Sequence, residues 1–341
     1  MSSMNKPNKP ITIKEIARKL RISPSTVSRA LNDHPSIGLV TTMRVKKLAE
    51  ELNYEPNQTA IFFKQRKTFT LGVILPKLSE PFFASAISAI EEVAGEKKFT
   101  VLLGQSLDNP ERELNIINSF RTHRVDGILM SLGKNTTNLD FIERLRKYEI
   151  PIVFFDCVPE GVDDVPKVYC DLSTGIQEAV QAFAERGHKQ IALINGPETL
   201  KASGERTLSF KKALLDNGLN FDDKYVVYSD LTEESNYQAM EKLRDLADRP
   251  SAILAFNDYV TFDIIRYAKE KGIYLGHDIQ VISFANYSLW KYMDNPPLAS
   301  IEQYPAEQGA KAASILLELL DNKDSEEIIQ DHIFASKLVY Q

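Results

Sequence analysis

The chain has 341 residues, 43% of them hydrophobic and 26% charged, with a formal net charge of −6. That length exceeds one ordinary compact core and suits a small domain joined to a larger two-lobed one, and no apolar run approaches the roughly 20 residues that a membrane-spanning helix needs. The charge is uneven: the first 70 residues hold 13 Lys or Arg against 5 Asp or Glu and the remainder 28 against 42, which points to a polyanion partner for the head only.

In chain order, residues 1–11 read as a disordered leader without the apolar core of a secretory signal, which predicts a cytoplasmic protein. Thr12 with Glu15 three residues later forms a capping-box pattern, and Ile13, Ile16, Ala17 and Leu20 follow on one helical face. After a short turn, Ser23 caps and Pro24 opens a second helix to Leu31. A third helix is predicted from Thr41 to Asn53. These three helices bury one small core, so residues 12–55 read as a helix-turn-helix domain. In such a domain the second helix lies in the major groove. Val27, Ala30 and Leu31 face inward, which leaves Ser25, Thr26, Ser28, Arg29 and Asn32 outward: small polar groups that permit close approach, and an arginine able to pair with a guanine edge. Ser25 and Thr26 serving only the helix start is the alternative.

Pro56 breaks the helical pattern, and Asn57–Lys64 reads as one further short helix before a basic linker, residues 56–68 forming the connection. From Leu71 onward, apolar runs (LGVIL, TVLLG, DGILM, IVFFD) alternate with amphipathic stretches, and the pattern restarts through IALIN, YVVYS, SAILAF and DIQVISF. Strands apolar throughout, separated by helices, form parallel sheets covered on both faces. The predicted fold is therefore an all-α head plus an α/β two-lobed body spanning 69–341. The N-lobe takes about 69–170 and 304–332, the C-lobe about 171–303 and 333–341, with a ligand cleft between them. Cys157 and Cys170 match no zinc or CxxC spacing and read as reduced, buried thiols, a disulfide being the less favoured alternative in reducing cytosol. No metal and no cofactor is predicted.

The run ITIKEIARKLRISPSTVSRALN, then ELNYEPN, LGVILPKLSEPFF, RVDGIL, IPIVFFD, ERGHKQIALINGPE, FNDYVTFDIIRYAKEKGI and NPPLASIEQ, resembles lactose-repressor (LacI/GalR) family regulators across essentially the whole chain. The resemblance implies a homodimer on a pseudo-palindromic double-stranded DNA operator, controlled by a small, carbohydrate-related effector between the lobes. It implies DNA contacts from the head residues Thr12, Ser23, Pro24, Ser25, Thr26, Ser28, Arg29 and Asn32. Pro24 and Ser25 occupy the positions that set base preference. Asn57–Lys64 matches the family's hinge helix, with Asn57 and Lys64 at DNA and Phe63 as an apolar wedge between base steps. Ile61 departs from a position that is often Arg.

Effector contacts implied by the same resemblance are Phe82, Phe83, Asp156, Arg206, Asn257, Asp258 and Gln303, residue types that suit a polyhydroxylated ligand. Phe82 and Phe83 as core, and Asp156 and Asp258 as caps, are the alternatives. Where many sugar-responsive members carry an Asp after the VISF strand, this chain has Ala285 followed by Asn286. Either Asn286 or Trp290 replaces that contact, or the effector differs in shape or charge, or effector dependence is lost. Trp290 either stacks on a sugar ring or packs at the cleft edge.

Two other functional classes fit the sequence less well. A sugar-binding module without DNA function shares the two-lobed body but has no use for the basic head. An enzyme is disfavoured because neither GxGxxG nor GxxxxGK[ST] occurs and the histidines are scattered.

Overall fold

The computed structural model describes residues 11–54, 67–321 and 330–341. The leader before Ile11 and the expected hinge helix, with Asn57, Phe63 and Lys64, lie outside them. The chain divides into two units, Met1–Thr68 and Phe69–Gln341.

In the first unit α1 spans Ile13–Leu20. The Thr12 hydroxyl accepts the Glu15 N–H at 3.4 Å, and Glu15 Oε2 accepts the Thr12 N–H at 2.8 Å, which completes the capping box and holds the Glu15 carboxyl below its usual range. Arg21 at φ 53° ends the helix in the left-handed region. α2, Pro24–Leu31, starts where Ser23 Oγ accepts the Thr26 N–H at 3.1 Å. α3 runs Leu39–Glu51, two residues earlier at each end than the pattern predicted. Gly38 starts it without a side-chain cap, and Asn53 at φ 46° cannot extend it. Ile16, Ala17, Val27, Ala30, Val45 and Ala49 close the core.

The second unit begins with β1 (Thr70–Leu75), α4 (Pro81–Glu96), β2 (Thr100–Gln105), α5 (Pro110–Thr122), β3 (Gly127–Met130), α6 (Asp140–Lys147), β4 (Ile152–Phe155) and β5 (Lys167–Asp171). It continues with α7 (Ser173–Glu185), β6 (Ile191–Asn195), α8 (Lys201–Asp216), β7 (Val226–Tyr228), α9 (Glu233–Arg244), β8 (Ala252–Ala255), α10 (Asp258–Lys271), β9 (Gln280–Phe284) and β10 (Ala299–Glu302). α11 (Pro305–Asp321), β11 (His332–Ala335) and β12 (Lys337–Tyr340) complete it. Among the described residues there are two six-stranded sheets, ordered β11-β5-β4-β3-β1-β2 and β12-β10-β9-β8-β6-β7. Neighbouring strands are parallel except where β12 runs antiparallel to β10. Buried apolar side chains sandwich both sheets beneath their helices.

Three differences from the sequence reading have physical causes. The chain crosses for the last time at Ser336, not after His332, because β11 pairs with β5 and so belongs to the N-lobe sheet. β2 is not apolar-buried throughout: it is an edge strand whose Leu102 and Leu103 are 38% and 42% exposed. Neither cysteine is buried; both are free, Cys157 exposed just after β4 and Cys170 half-buried on β5.

The N-lobe's last helix returns from the other lobe and lies directly on its first, which requires a residue without a side chain at the contact. Gly309 supplies it: a Cβ there would stand 2.5 Å from the Ala86 carbonyl oxygen, a backbone atom that cannot rotate away. Gly309→Ala should force α11 and α4 apart and cost about 1–3 kcal/mol, read as a lower urea midpoint than wild type at unchanged slope.

Candidate functional site

The outer face of α2 is polar and open. Ser25, Arg29 and Asn32 are exposed and Thr26 and Ser28 half-buried, while Val27 and Ala30 face the core. Part of this polarity is used locally: Ser23 Oγ lies 2.7 Å from Ser25 Oγ and 2.8 Å from Thr26 Oγ1, and Asn32 Nδ2 donates to the Ser28 carbonyl at 2.8 Å. Pro24 and Thr12 are exposed at the two helix starts. The face has no acidic residue, and the first turn carries unsatisfied amide dipoles, so it is suited to an anionic partner.

The second candidate site lies where strand carboxyl ends of the two lobes meet. Asp156 follows β4 at φ 60°. Its carboxylate accepts from Ser131 Oγ at 3.1 Å, and its N–H reaches Gln308 Oε1 at 3.2 Å. Gln308 Nε2 donates in turn to the Gln303 carbonyl at 2.7 Å, so one buried amide ties the β4 end to the crossing segment. Burial pushes the Asp156 carboxyl up, with Ser131 and the charge of Arg206 among the groups that oppose this.

Arg206, from α8 in the other lobe, is 8% exposed. Its guanidinium lies 3.9 Å from the Phe256 ring centre and 4.4 Å from that of Phe284, and Nη1 donates to the Phe256 carbonyl at 2.8 Å. Burial lowers it to about 10, against the attraction of Asp156, so it remains a cation at neutral pH. Its Nε has no partner among the described residues. The first turns of α8 are braced by buried Asn195, whose Nδ2 donates to the Ser203 carbonyl and to Thr207 Oγ1 at 2.8 and 3.0 Å.

Other sequence candidates are engaged elsewhere. Phe82 and Phe83 meet edge to face at 5.3 Å within the N-lobe core. Asn257 caps α10, its Oδ1 accepting the Val260 N–H at 2.9 Å. Asp258 is fully buried, accepting from Ser283 Oγ and, at 2.7 Å, from the Tyr287 N–H. It therefore pins the loop after β9 rather than capping a helix. In that loop Ala285 and Asn286 take φ 91° and 54°, a turn that only outside anchors maintain in non-glycine residues. Asn286 Nδ2 donates to Glu302 Oε2 at 2.6 Å and its Oδ1 accepts from Gln341 Nε2 at 2.7 Å, so both ends of its amide are occupied. Trp290 is corrected to packing: it is 1% exposed and lies 4.6 Å from Phe262, leaving no ring face for a ligand. The structure thus sets Arg206 against Asp156, links the Gln303 backbone to Asp156 through Gln308, and withdraws Asn286 and Trp290.

It also adds residues the sequence did not single out. Lys77 Nζ lies 5.9 Å from the ring centre of Tyr259 in the opposite lobe, and Tyr259 meets Tyr287 edge-on at 5.8 Å. Glu80, the half-buried residue before α4, forms no cap bond, and burial pushes its carboxyl up. Lys77, Glu80 and Tyr259 lie inside the family-like runs LGVILPKLSEPFF and FNDYVTFDIIRYAKEKGI, but nothing in those runs sets them apart from their neighbours.

Residues 68–337 match the family model described as periplasmic binding proteins and sugar binding domain of LacI family, and residues 12–57 match that for bacterial regulatory proteins, lacI family. The chain belongs to the LacI family. It is a DNA-binding transcriptional regulator with the family's sugar-binding type of body. It is 32% identical over 314 residues to catabolite control protein A of Priestia megaterium, covering 92% of this chain and 93% of that one. The HTH-type transcriptional repressor CytR of Escherichia coli (strain K12) is 31% identical over 312 residues, covering 92% and 90%. The fold is similar to the lac repressor dimer bound to operator and the anti-inducer ONPF, with TM-score 0.81 at 22% identity over 97% and 98% of the two chains. It is similar also to the transcriptional regulator CelR–cellobiose complex, with TM-score 0.68 at 25% identity over 96% and 98%. Among the described residues no helix is long and apolar enough to cross a membrane.

Within this LacI-family body the Asp258 anchor has a spectroscopic consequence. Burial pushes its carboxyl up to about 6, with Ser283, the Tyr287 N–H and the Trp290 indole holding it down. A carboxyl raised above its ordinary value near 3.8 stabilises the fold fully below that value, and the contribution is lost as pH rises through about 6. Trp290, the chain's one tryptophan, should therefore shift its emission with a midpoint near pH 6, and Asp258→Asn should abolish the transition. An equal transition in both proteins would assign it to another group.

Proposed function

We propose that this LacI-family chain acts in the cytoplasm as a cofactor-free homodimeric repressor, catalyses no reaction, and binds a pseudo-palindromic operator under the control of a carbohydrate-related effector held between its lobes. The observation that carries the effector reading is Arg206 facing Asp156 across the lobes with an unpartnered Nε, while the crossing segment of Gln303 is tied to Asp156 through Gln308. A buried cation and a half-buried carboxylate opposed across the lobes suit a ligand bearing several hydroxyls. The names of its relatives support repression, and the exposed Leu102 and Leu103 of edge strand β2 support association through the body.

On the DNA side, Ser25, Thr26, Ser28, Arg29 and Asn32 present one polar helix face, with Thr12, Ser23 and Pro24 at the helix starts nearest the sugar-phosphate backbone. Asn57, Phe63 and Lys64 are assigned to the minor groove on the family resemblance alone. Effector binding favours one lobe arrangement, and the change in operator affinity is limited to the ligand's differential affinity for the arrangements.

Selection of bound duplexes from a random pool by the full-length protein should enrich a palindrome. A folded protein that enriches nothing, with or without a sugar panel, would overturn the reading. Arg29→Ala should cost about 1–3 kcal/mol on the selected site and relax preference at one base pair; uniform weakening on all sequences would reassign Arg29 to phosphate.

A further inference from the structure

The chain crosses between the lobes at residues 171–173, 302–304 and 335–337. Only the second crossing contains a non-glycine residue in the left-handed region, Tyr304 at φ 57°, and the loop after β9 beside it contains two more, Ala285 at 91° and Asn286 at 54°. Backbone of that kind persists only where neighbouring groups hold it.

The group common to the crossing and the loop is Glu302, the last residue of β10. Its Oε1 accepts the N–H groups of Gln303 and Tyr304 at 2.9 and 2.7 Å, and its Oε2 accepts from Asn286 Nδ2 at 2.6 Å. An ionised carboxylate only accepts, so it turns the Asn286 amide to present Nδ2, and Oδ1 is left facing Gln341 Nε2, which donates to it at 2.7 Å. On the far side of the turn the Gln303 carbonyl accepts from Gln308 Nε2 at 2.7 Å, and the Tyr304 carbonyl accepts the Gln308 N–H at 2.9 Å, where α11 begins in the other lobe. One carboxylate therefore joins a C-lobe loop to the residues through which the chain enters the N-lobe.

We propose that Glu302 is a positioning residue: it holds this crossing in its left-handed turn by bonding Asn286 on one side and the Gln303 and Tyr304 amides on the other, and so fixes the lobe arrangement on which operator affinity depends. Asn286 then serves the site through Glu302 and touches no ligand. A turn under strain relaxes when its anchor is lost, which makes the crossing an element with two arrangements rather than a rigid strut. The proposal rests on the reading, given above, that lobe arrangement governs operator binding.

The roles of the two side chains can be exchanged. In Asn286→Asp two carboxylates face each other where the hydrogen bond was. In the double variant Asn286→Asp/Glu302→Gln the glutamine keeps its Oε1 for the two amides and donates from Nε2 to the aspartate, so the pair is rebuilt with donor and acceptor reversed and the net charge unchanged. The test compares full-length wild type and both variants by hydrogen exchange at the Gln303 and Tyr304 amides, and by fluorescence anisotropy on the selected palindrome and on a random duplex. Asn286→Asp should speed exchange at both amides and shift palindrome affinity, each by about tenfold, the scale of a hydrogen bond to a charged group. Affinity for the random duplex should not move, because the head is untouched. The double variant should return exchange and palindrome affinity to wild-type values. Faster exchange with unchanged palindrome affinity would reduce Glu302 to a structural brace and overturn the proposal, as would unchanged exchange in Asn286→Asp or a double variant that does not recover. A folded protein that selects no palindrome would overturn the operator reading, and this proposal with it, whatever the exchange shows.

Discussion

The two lobes are held in register by a crossing where three stretches of chain pass side by side, and everything the cleft does depends on that packing. Ser336 sits at its centre: its N–H donates to the Asp171 carbonyl at 3.0 Å, and its Oγ accepts the Gly175 N–H at the same distance. A Cβ on Gly175 would stand 2.4 Å from Ile301 Cγ2 and 2.9 Å from Ser336 Oγ, so α7 approaches the other crossings only because that position lacks a side chain. With the crossing fixed, β4, β8 and β9 end toward one another, and the residues just past those ends share a space.

That space is built largely from charges removed from water. Asp156 and Glu80 on one wall are raised by burial and Arg206 on the other is lowered by it, each shift in the direction that favours the neutral form. Opposite charges across the lobes offset part of the cost, and the aromatic faces of Phe256 and Phe284 offset more for the guanidinium. Gly196 contributes by its smallness, since a Cβ there would meet the Phe256 ring at 2.7 Å and displace the platform on which Arg206 lies. Such a site responds to whatever enters it, because a ligand that completes the missing hydrogen bonds in one lobe arrangement stabilises that arrangement over others.

The head follows a different logic, in which almost every determinant is local. Its helix starts are set by Thr12 with Glu15 and by Ser23, its first helix end by Arg21 in the left-handed region, and its outward polarity by the residues between the buried Val27 and Ala30. Interactions of that kind span three or four residues and can be read directly along the chain. The third helix was displaced by two residues because Gly38 leaves no side-chain cap to recognise and Leu39 and Val40, although apolar, point to solvent.

What the sequence by itself determined was the helix-turn-helix with its caps, the alternating α/β order of the body, and its two sheets of similar build. Periodicity, capping chemistry and family motifs carry those features, and all are short-range or position-matched. Tertiary structure alone decided which polar groups remain available. Asn286 was a candidate until Glu302 and the terminal Gln341, 16 and 55 residues away, occupied its amide; Trp290 was one until Phe262 covered it. Lys77 meets the Tyr259 ring only because the two lobes face each other. Hydrogen-bond capacity is consumed by partners that are near in space and remote in the chain, so a residue's type indicates what it could bind, and only the packed fold leaves it free to do so.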